Sequence, residues 1–240
     1  MRIVLIIILF LAVMVPATSQ ISDKIKNIAK EVENVVTKDG LSSDDVAAAL
    51  KEALTNGVEK GTEQASQLNG FYKNGEIKIP FPEDAKKVAT ALKRVGMDRQ
   101  VQNFVKTLNR SAEMAAKEAK PVFIAAIKEM SIKDAFSILD GDDKQGATNY
   151  LKSSTSDELM KKMTPIIDEA LSATSATKYY SELITAYNKL PMVEKTNPDL
   201  PAYATSKTLD GLFHLVGQEE LKIRQDPAAR TSDLLKKVFK

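Results

Sequence analysis

Glu220 is the side chain whose position in the sequence could support chemistry, because it interrupts an apolar helical stripe. We predict one long helix over residues 200–225, with Asp199 as its N-cap and Pro227 as the breaker beyond its end. The buried face of this helix should carry Leu209, Leu212, Phe213, Val216 and Ile223. A carboxylate in the middle of such a face must be paired or protonated, and Arg224 lies within reach one turn further on.

Three interpretations of Glu220 stay open. The simplest is a structural Glu220–Arg224 pair that fixes how the helices register against one another. Glu220 could instead face a cavity, where it would contact a ligand or act on a proton, and Arg224 would then belong to the same binding site. In the third interpretation the helix ends early and Glu220 is solvated.

Arg230, Tyr180 and Tyr187 are the other candidate binding residues. Arg230 precedes a capping sequence at residues 231–233, and an arginine beside a helix N-terminus can hold an anion. The commoner use of such an arginine is to anchor a carboxylate or carbonyl of its own fold. Tyr180 and Tyr187 lie on one apolar face of a helix predicted over residues 176–190. Tyrosines on such a face either bury their rings or line a ligand site.

Most metal and catalytic signatures are absent from the sequence. One histidine, His214, and no cysteine exclude the usual zinc clusters and Cys–His catalysis. The sequence contains no nucleophile elbow, Walker loop or dinucleotide fingerprint. The acidic run at residues 140–143 fails as an EF-hand, since Lys144 and Leu151 stand where oxygen ligands are needed, and a helix cap explains it better. We therefore expect no metal and no cofactor, and we favour a protein that is not an enzyme.

The first residues predict export from the cytoplasm. Arg2 precedes an apolar run over residues 3–15, and the small residues Ala17 and Ser19 follow it. Residues 1–19 should therefore be a cleavable signal peptide, which places the protein in the periplasm. The apolar run is short for a transmembrane helix, although an uncleaved anchor is an alternative.

The charge balance gives no signal for nucleic-acid binding. The chain has 34 basic and 32 acidic residues, and their signs alternate along the helices. We exclude nucleic acid as a partner and leave other partners open. The apolar residues between Ile21 and Val36 have the spacing of an amphipathic helix that ends at Asp39-Gly40, and this helix would pack on its own domain or lie on a membrane surface.

Apolar periodicity predicts an all-α fold. We expect residues 20–240 to form a single domain of about eight to ten helices, packed around the long C-terminal helix. One short extended strap is predicted near residues 74–82, because an Asn-Gly turn leads into an alternating segment with two prolines.

Two internal prolines bear on where a pocket could form. Pro121 and Pro165 should kink or restart their helices, which leaves room for a pocket between them. A capping box at Thr155 would mark the start of the second of these helices. On the first, Arg110 and Glu113 have the spacing of a surface ion pair.

A set of short motifs follows along the chain in a recognisable order. Four of them are Leu50–Leu54, Ile79–Pro82, Leu108–Arg110 and Tyr179–Tyr180. The C-terminal ones are Asn197–Leu200, Leu209–Phe213 and Ile223-Arg224, followed by Pro227, Arg230 and Asp233–Phe239. Together they resemble the bacterial family called domain of unknown function 4197, from Leu41 to the end. The resemblance implies an exported, mostly helical protein of Gram-negative bacteria, and it implies no activity, cofactor or catalytic residue.

These observations favour a non-enzymatic binding or interaction protein. Its ligand would be a small apolar or amphiphilic molecule held between the two proline-containing helices. One alternative is a structural or scaffold protein of the envelope, in contact with a membrane or with envelope proteins. The other alternative is a carboxylate-dependent hydrolase that uses Glu220.

Overall fold

The computed structural model describes residues 36–37, 40–82, 85–133 and 135–240. The predicted signal peptide lies outside these residues, as does most of the predicted N-terminal amphipathic helix. Its predicted extent to Asp39-Gly40 is wrong at Val36 and Thr37, because these residues form a strand. The chain divides between Ser43 and Asp44 into two units. In the first unit, the described residues form an antiparallel pair of two-residue strands, β1 (Val36–Thr37) and β2 (Leu41–Ser42).

Eight α-helices follow β2 in the part of the chain that the structure describes. They are α1 (Ser43–Ser66), α2 (Lys86–Arg94), α3 (Asp98–Glu129), α4 (Ala135–Asp140), α5 (Gly146–Ala173), α6 (Ala176–Asn188), α7 (Leu200–Gln225) and α8 (Asp233–Val238). A 3₁₀ turn at Pro227–Ala229 joins α7 to α8. The predicted all-α bundle is confirmed. Among these described helices, none is both long and apolar enough to cross a membrane.

Helix α7 has the bounds that the sequence predicts. Asp199 caps it, since its Oδ1 accepts a hydrogen bond from the backbone N–H of Ala202 at 3.0 Å. Pro201 lies in the first turn, where its missing N–H costs nothing. The helix is unbroken over 26 residues, about 39 Å at 1.5 Å per residue. More than half of its residues are buried, so it forms the centre of the bundle.

The other long helices enclose α7. Helix α5 packs along both α3 and α7. Helix α1 approaches the backbone of α7 closely through two glycines. A Cβ added to Gly57 would lie 3.1 Å from the carbonyl oxygen of Val216, and one added to Gly61 would lie 3.1 Å from Cβ of Leu215. A larger side chain at either glycine would push α1 away from the core.

The predicted strap is confirmed, and α3 holds it with a buried amide. Residues 78–82 have no regular secondary structure. Asn109, which is 0% exposed, accepts from the N–H of Ile79 at 2.8 Å and donates to its carbonyl at 2.8 Å. Its amide also donates to the Val105 carbonyl. The Asn109 side chain thereby satisfies both backbone groups of Ile79, as a neighbouring strand would.

The predicted Arg110–Glu113 pair is present, but it does not lie on the surface. Glu113 is buried, and its Oε1 accepts from the N–H groups of Phe71 and Tyr72 at 3.2 and 3.1 Å. Its other oxygen pairs with Arg110, which donates a second bond to Asn69 Oδ1 at 2.8 Å. The pair therefore fixes the turn that leads into the strap, because it gives hydrogen-bond partners to two buried backbone N–H groups that belong to no helix or strand.

Both proline-containing helices continue through their prolines. Helix α3 runs through Pro121 and α5 through Pro165 without a restart. The predicted helix start at Thr155 is wrong, because Thr155 lies inside α5 and its hydroxyl donates to the Leu151 carbonyl at 2.6 Å. Since proline has no N–H, the Lys117 carbonyl loses its usual helical donor at Pro121.

The clamp at Asn109 supplies the first test. Replacing Asn109 with alanine leaves the N–H and carbonyl of Ile79 buried without partners, so the free energy of unfolding should fall by about 2–4 kcal/mol. Urea denaturation measures this. The matched control is Asn103→Ala, which removes an exposed asparagine from the same helix and should change stability by less than about 0.5 kcal/mol. Equal effects of the two substitutions would contradict the clamp.

Candidate functional site

Glu220 is fully buried and caps a helix that is not its own. Its Oε1 lies 3.1 Å from the backbone nitrogen of Ala147, and its Oε2 lies 2.8 Å from that of Thr148. The Thr148 hydroxyl donates a third bond at 2.7 Å. Ala147 and Thr148 are in the first turn of α5, where N–H groups have no partner within the helix. The N-cap residue, Gln145, offers no side-chain bond. The carboxylate of Glu220, on α7, supplies the capping oxygens instead.

Two arginines cap helix ends in the same way. Arg224 donates to the carbonyls of Ile138 at 3.0 Å and Leu139 at 2.8 Å, both in the last turn of α4. Arg230 donates to the carbonyls of Ile223 and Arg224 at 2.9 and 3.0 Å, at the end of α7. Positive charge at a helix C-terminus also interacts favourably with the helix dipole.

We call Glu220, Arg224 and Arg230 the capping cluster. Within it, Arg224 Nε donates to Glu220 Oε1 at 3.0 Å, and the two side chains are 8% and 0% exposed. Both oxygens of Glu220 are used by the fold. This arrangement supports the structural interpretation of Glu220 and Arg224, and it matches the anchoring use of Arg230.

The two candidate tyrosines line separate clefts, and neither cleft includes the capping cluster. Tyr180 is 5% exposed, and its ring centroid lies 5.1 Å from that of Phe104. Tyr187 is also buried, in a cleft that contains the fully exposed Met192. The five sequence candidates therefore do not form one site.

A more apolar groove lies between α3 and α5. It has a volume of 600 Å³, and its apolar surface comes from residues of both helices: Met114, Ala115, Pro121, Val122, Ile166, Ala170 and Ala173. Lys117, Glu118 and Glu169 line it as well. None of these three charged side chains forms an ion pair with a described residue. Pockets of this size and composition commonly take small ligands.

The sequence indicated the place of this groove but not its residues. Pro121 lies in the groove, and Ile166 is the neighbour of Pro165. Met114 is 46% exposed and falls outside the apolar stripe of α3, so periodicity does not mark it. An exposed methionine beside a run of alanines is the signal that could have found it.

The acidic run before α5 makes a turn. Asp143 accepts from the Asn149 side chain at 2.8 Å and from the Gln145 N–H at 2.9 Å, and these bonds hold the pKa of its carboxyl below the usual value. The residues that the structure describes contain no group of three or more acidic, histidine or cysteine side chains placed to bind a metal.

The sequence profile of one protein family matches residues 40–240, and the family is described as protein of unknown function (DUF4197). The chain belongs to this family. No curated protein and no solved structure matches it. Several motifs that suggested DUF4197 from the sequence meet in the fold. Ile79–Pro82 and Leu108–Arg110 meet at the Asn109 clamp, and Ile223-Arg224 and Arg230 meet in the capping cluster.

Glu220→Gln tests the capping role. Glutamine has one acceptor oxygen and an NH₂ group that would face the α5 N–H groups or Arg224, so the buried arginine loses its charge partner. We expect the free energy of unfolding to fall by about 3–5 kcal/mol, measured by urea denaturation. Glu63→Gln changes an exposed carboxylate on α1 and serves as the control. A Glu220→Gln protein as stable as the control would contradict the role.

Proposed function

We propose that this DUF4197 protein is a non-enzymatic periplasmic binding protein that holds a single-chain amphiphile in the groove between α3 and α5. The observation that carries the proposal is the groove itself, an apolar surface that also contains three unpaired charges. The signal-peptide pattern at residues 1–19 supports the periplasmic part.

The apolar surface of the groove suits an alkyl chain. The side chains of Ala115, Ala170 and Ala173 are short, so a slender chain could lie along the helix surfaces between the longer Ile166 and Val122. Each CH₂ group removed from water would contribute about 0.8 kcal/mol. Burial of about five CH₂ groups would therefore contribute about 4 kcal/mol, which corresponds to a Kd of about 1 mM.

The charged residues suit a polar head that carries both signs. Lys117 offers an ammonium, while Glu118 and Glu169 offer carboxylates, and all three side chains belong to exposed residues. Since these charges have no partner among the described residues, an ion pair with a head group would not break one within the fold. Pro121 adds an acceptor, because it removes the helical donor of the Lys117 carbonyl.

The capping cluster supports a function without catalysis. Glu220 was the sequence candidate for acting on a proton, and its oxygens accept from Ala147, Thr148 and Arg224. A general base needs a free oxygen within reach of a substrate proton. The hydrolase alternative therefore has no observation in its favour.

Binding of dodecylphosphocholine below its critical micelle concentration tests the groove. Ala173 is exposed, ends α5 and lines the groove, so Ala173→Trp should fill it without disturbing the core. We expect this variant to bind the probe about tenfold more weakly than the wild type in calorimetric titration, a loss of about 1.4 kcal/mol.

The matched control is Ser172→Trp, an exposed neighbour on the same helix that does not line the groove. It should leave the affinity unchanged. Equal affinities of the wild type and Ala173→Trp would contradict the proposal. Native mass spectrometry of periplasmic protein adds a second readout, in which an amphiphile should accompany the chain and the chain mass should lack residues 1–19.

A further inference from the structure

A second, chemically different cleft lies between α6 and the start of α7. It has a volume of 730 Å³ and is lined by one side of α6 and by residues 197–201. Two motifs of the family resemblance, Tyr179–Tyr180 and Asn197–Leu200, contribute to this cleft. It shares no lining residue with the groove between α3 and α5, so the two sites are separate.

One wall of the cleft is a row of hydroxyl groups. Thr177, Ser181 and Thr185 follow one another at one-turn spacing on α6, and all three are exposed. Many other helical hydroxyls of the bundle donate to a carbonyl of the preceding turn, as Thr155 and Thr164 do at 2.6 and 2.7 Å. The three cleft hydroxyls form no hydrogen bond with any residue that the structure describes. They are therefore available to a ligand.

The charge of the cleft favours a neutral ligand. Charged residues make up 28% of the chain, yet Asp199 is the one charged residue in the lining. Its Oδ1 already accepts from the Ala202 N–H as the cap of α7. Without a lysine or arginine, the cleft has no charge partner for a carboxylate or phosphate, and these groups bind best to such partners.

The rest of the lining is apolar apart from Asn188, Asn197 and Asp199. Tyr180, Ile184 and Leu200 are each less than 7% exposed, and Pro198 lies beside them. Asn197 adds an amide from the segment before α7. A hydroxyl both donates and accepts, so a row of hydroxyls best complements a ligand that also presents several hydroxyls. A sugar ring has such hydroxyls around its edge and C–H groups on its faces, which can pack on apolar side chains.

We propose that the cleft between α6 and the start of α7 binds a neutral oligosaccharide. The hydroxyls of Thr177, Ser181 and Thr185 exchange hydrogen bonds with sugar hydroxyls, and the partly exposed rings of Pro198 and Pro201 carry a ring face. This site is separate from the amphiphile groove, and each can fail without the other.

Titrations of the full mature chain with maltotriose and triacetylchitotriose test the site. Saturation-transfer difference NMR detects binding even at a Kd of about 1 mM. At least one neutral trisaccharide should give a saturable signal, while trigalacturonate, which is anionic, should bind about tenfold more weakly because the cleft has no cation.

The variant Thr177→Val/Ser181→Ala/Thr185→Val removes the hydroxyls and keeps the side-chain shapes. Since all three sites are exposed, it should fold as the wild type does, and it should bind the neutral probe about fivefold more weakly or worse. A Ser172→Ala/Ser206→Ala variant, which removes exposed hydroxyls outside the cleft, should bind unchanged. Three results would overturn the proposal: no saturation by either neutral probe, equal binding of trigalacturonate, or unchanged binding by the triple variant.

Discussion

The fold depends on satisfying one buried carboxylate. Glu220 lies in the middle of the central helix α7 at 0% exposure, where an unpaired charge would cost several kcal/mol. The first turn of α5 supplies two N–H groups and a hydroxyl, and Arg224 supplies a positive charge. Each partner also needs Glu220, because helix ends cannot be buried without acceptors or donors. The contacts of Glu220 with the start of α5 and of Arg224 with the end of α4 therefore fix the positions of both helices along α7.

The same principle organises the connection between α1 and α2. Asn109 and Glu113 of α3 satisfy the backbone of the strap and of its preceding turn. In both places a polar side chain of a long helix completes the hydrogen bonds of a short or irregular segment. The two clefts lie at other places, one beside Pro121 between α3 and α5 and one beside Asn197 at the start of α7.

The sequence predicted those parts whose signals are local. The bounds of α7 followed from Asp199 and Pro227, and the strap followed from its turn and prolines. The acidic run at residues 140–143 did indicate a helix start near α5, but the residue that caps α5 was missed, because Glu220 lies far away in the chain. The burial of Glu113 was missed for the same reason, since its partners belong to the turn before the strap. The groove forms only where α3 packs on α5, and apolar periodicity does not predict which helices pack together.

Amide hydrogen exchange at Ala147 and Thr148 tests the capping by Glu220 most directly. First-turn amides usually exchange early, as we expect for Thr177 and Lys178 of α6, whose N-cap Ser175 makes no side-chain bond. If Glu220 caps α5, the amides of Ala147 and Thr148 should exchange about thirtyfold more slowly than those two or slower still, which corresponds to about 2 kcal/mol. Exchange of Ala147 and Thr148 at the rates of the α6 amides would contradict the account.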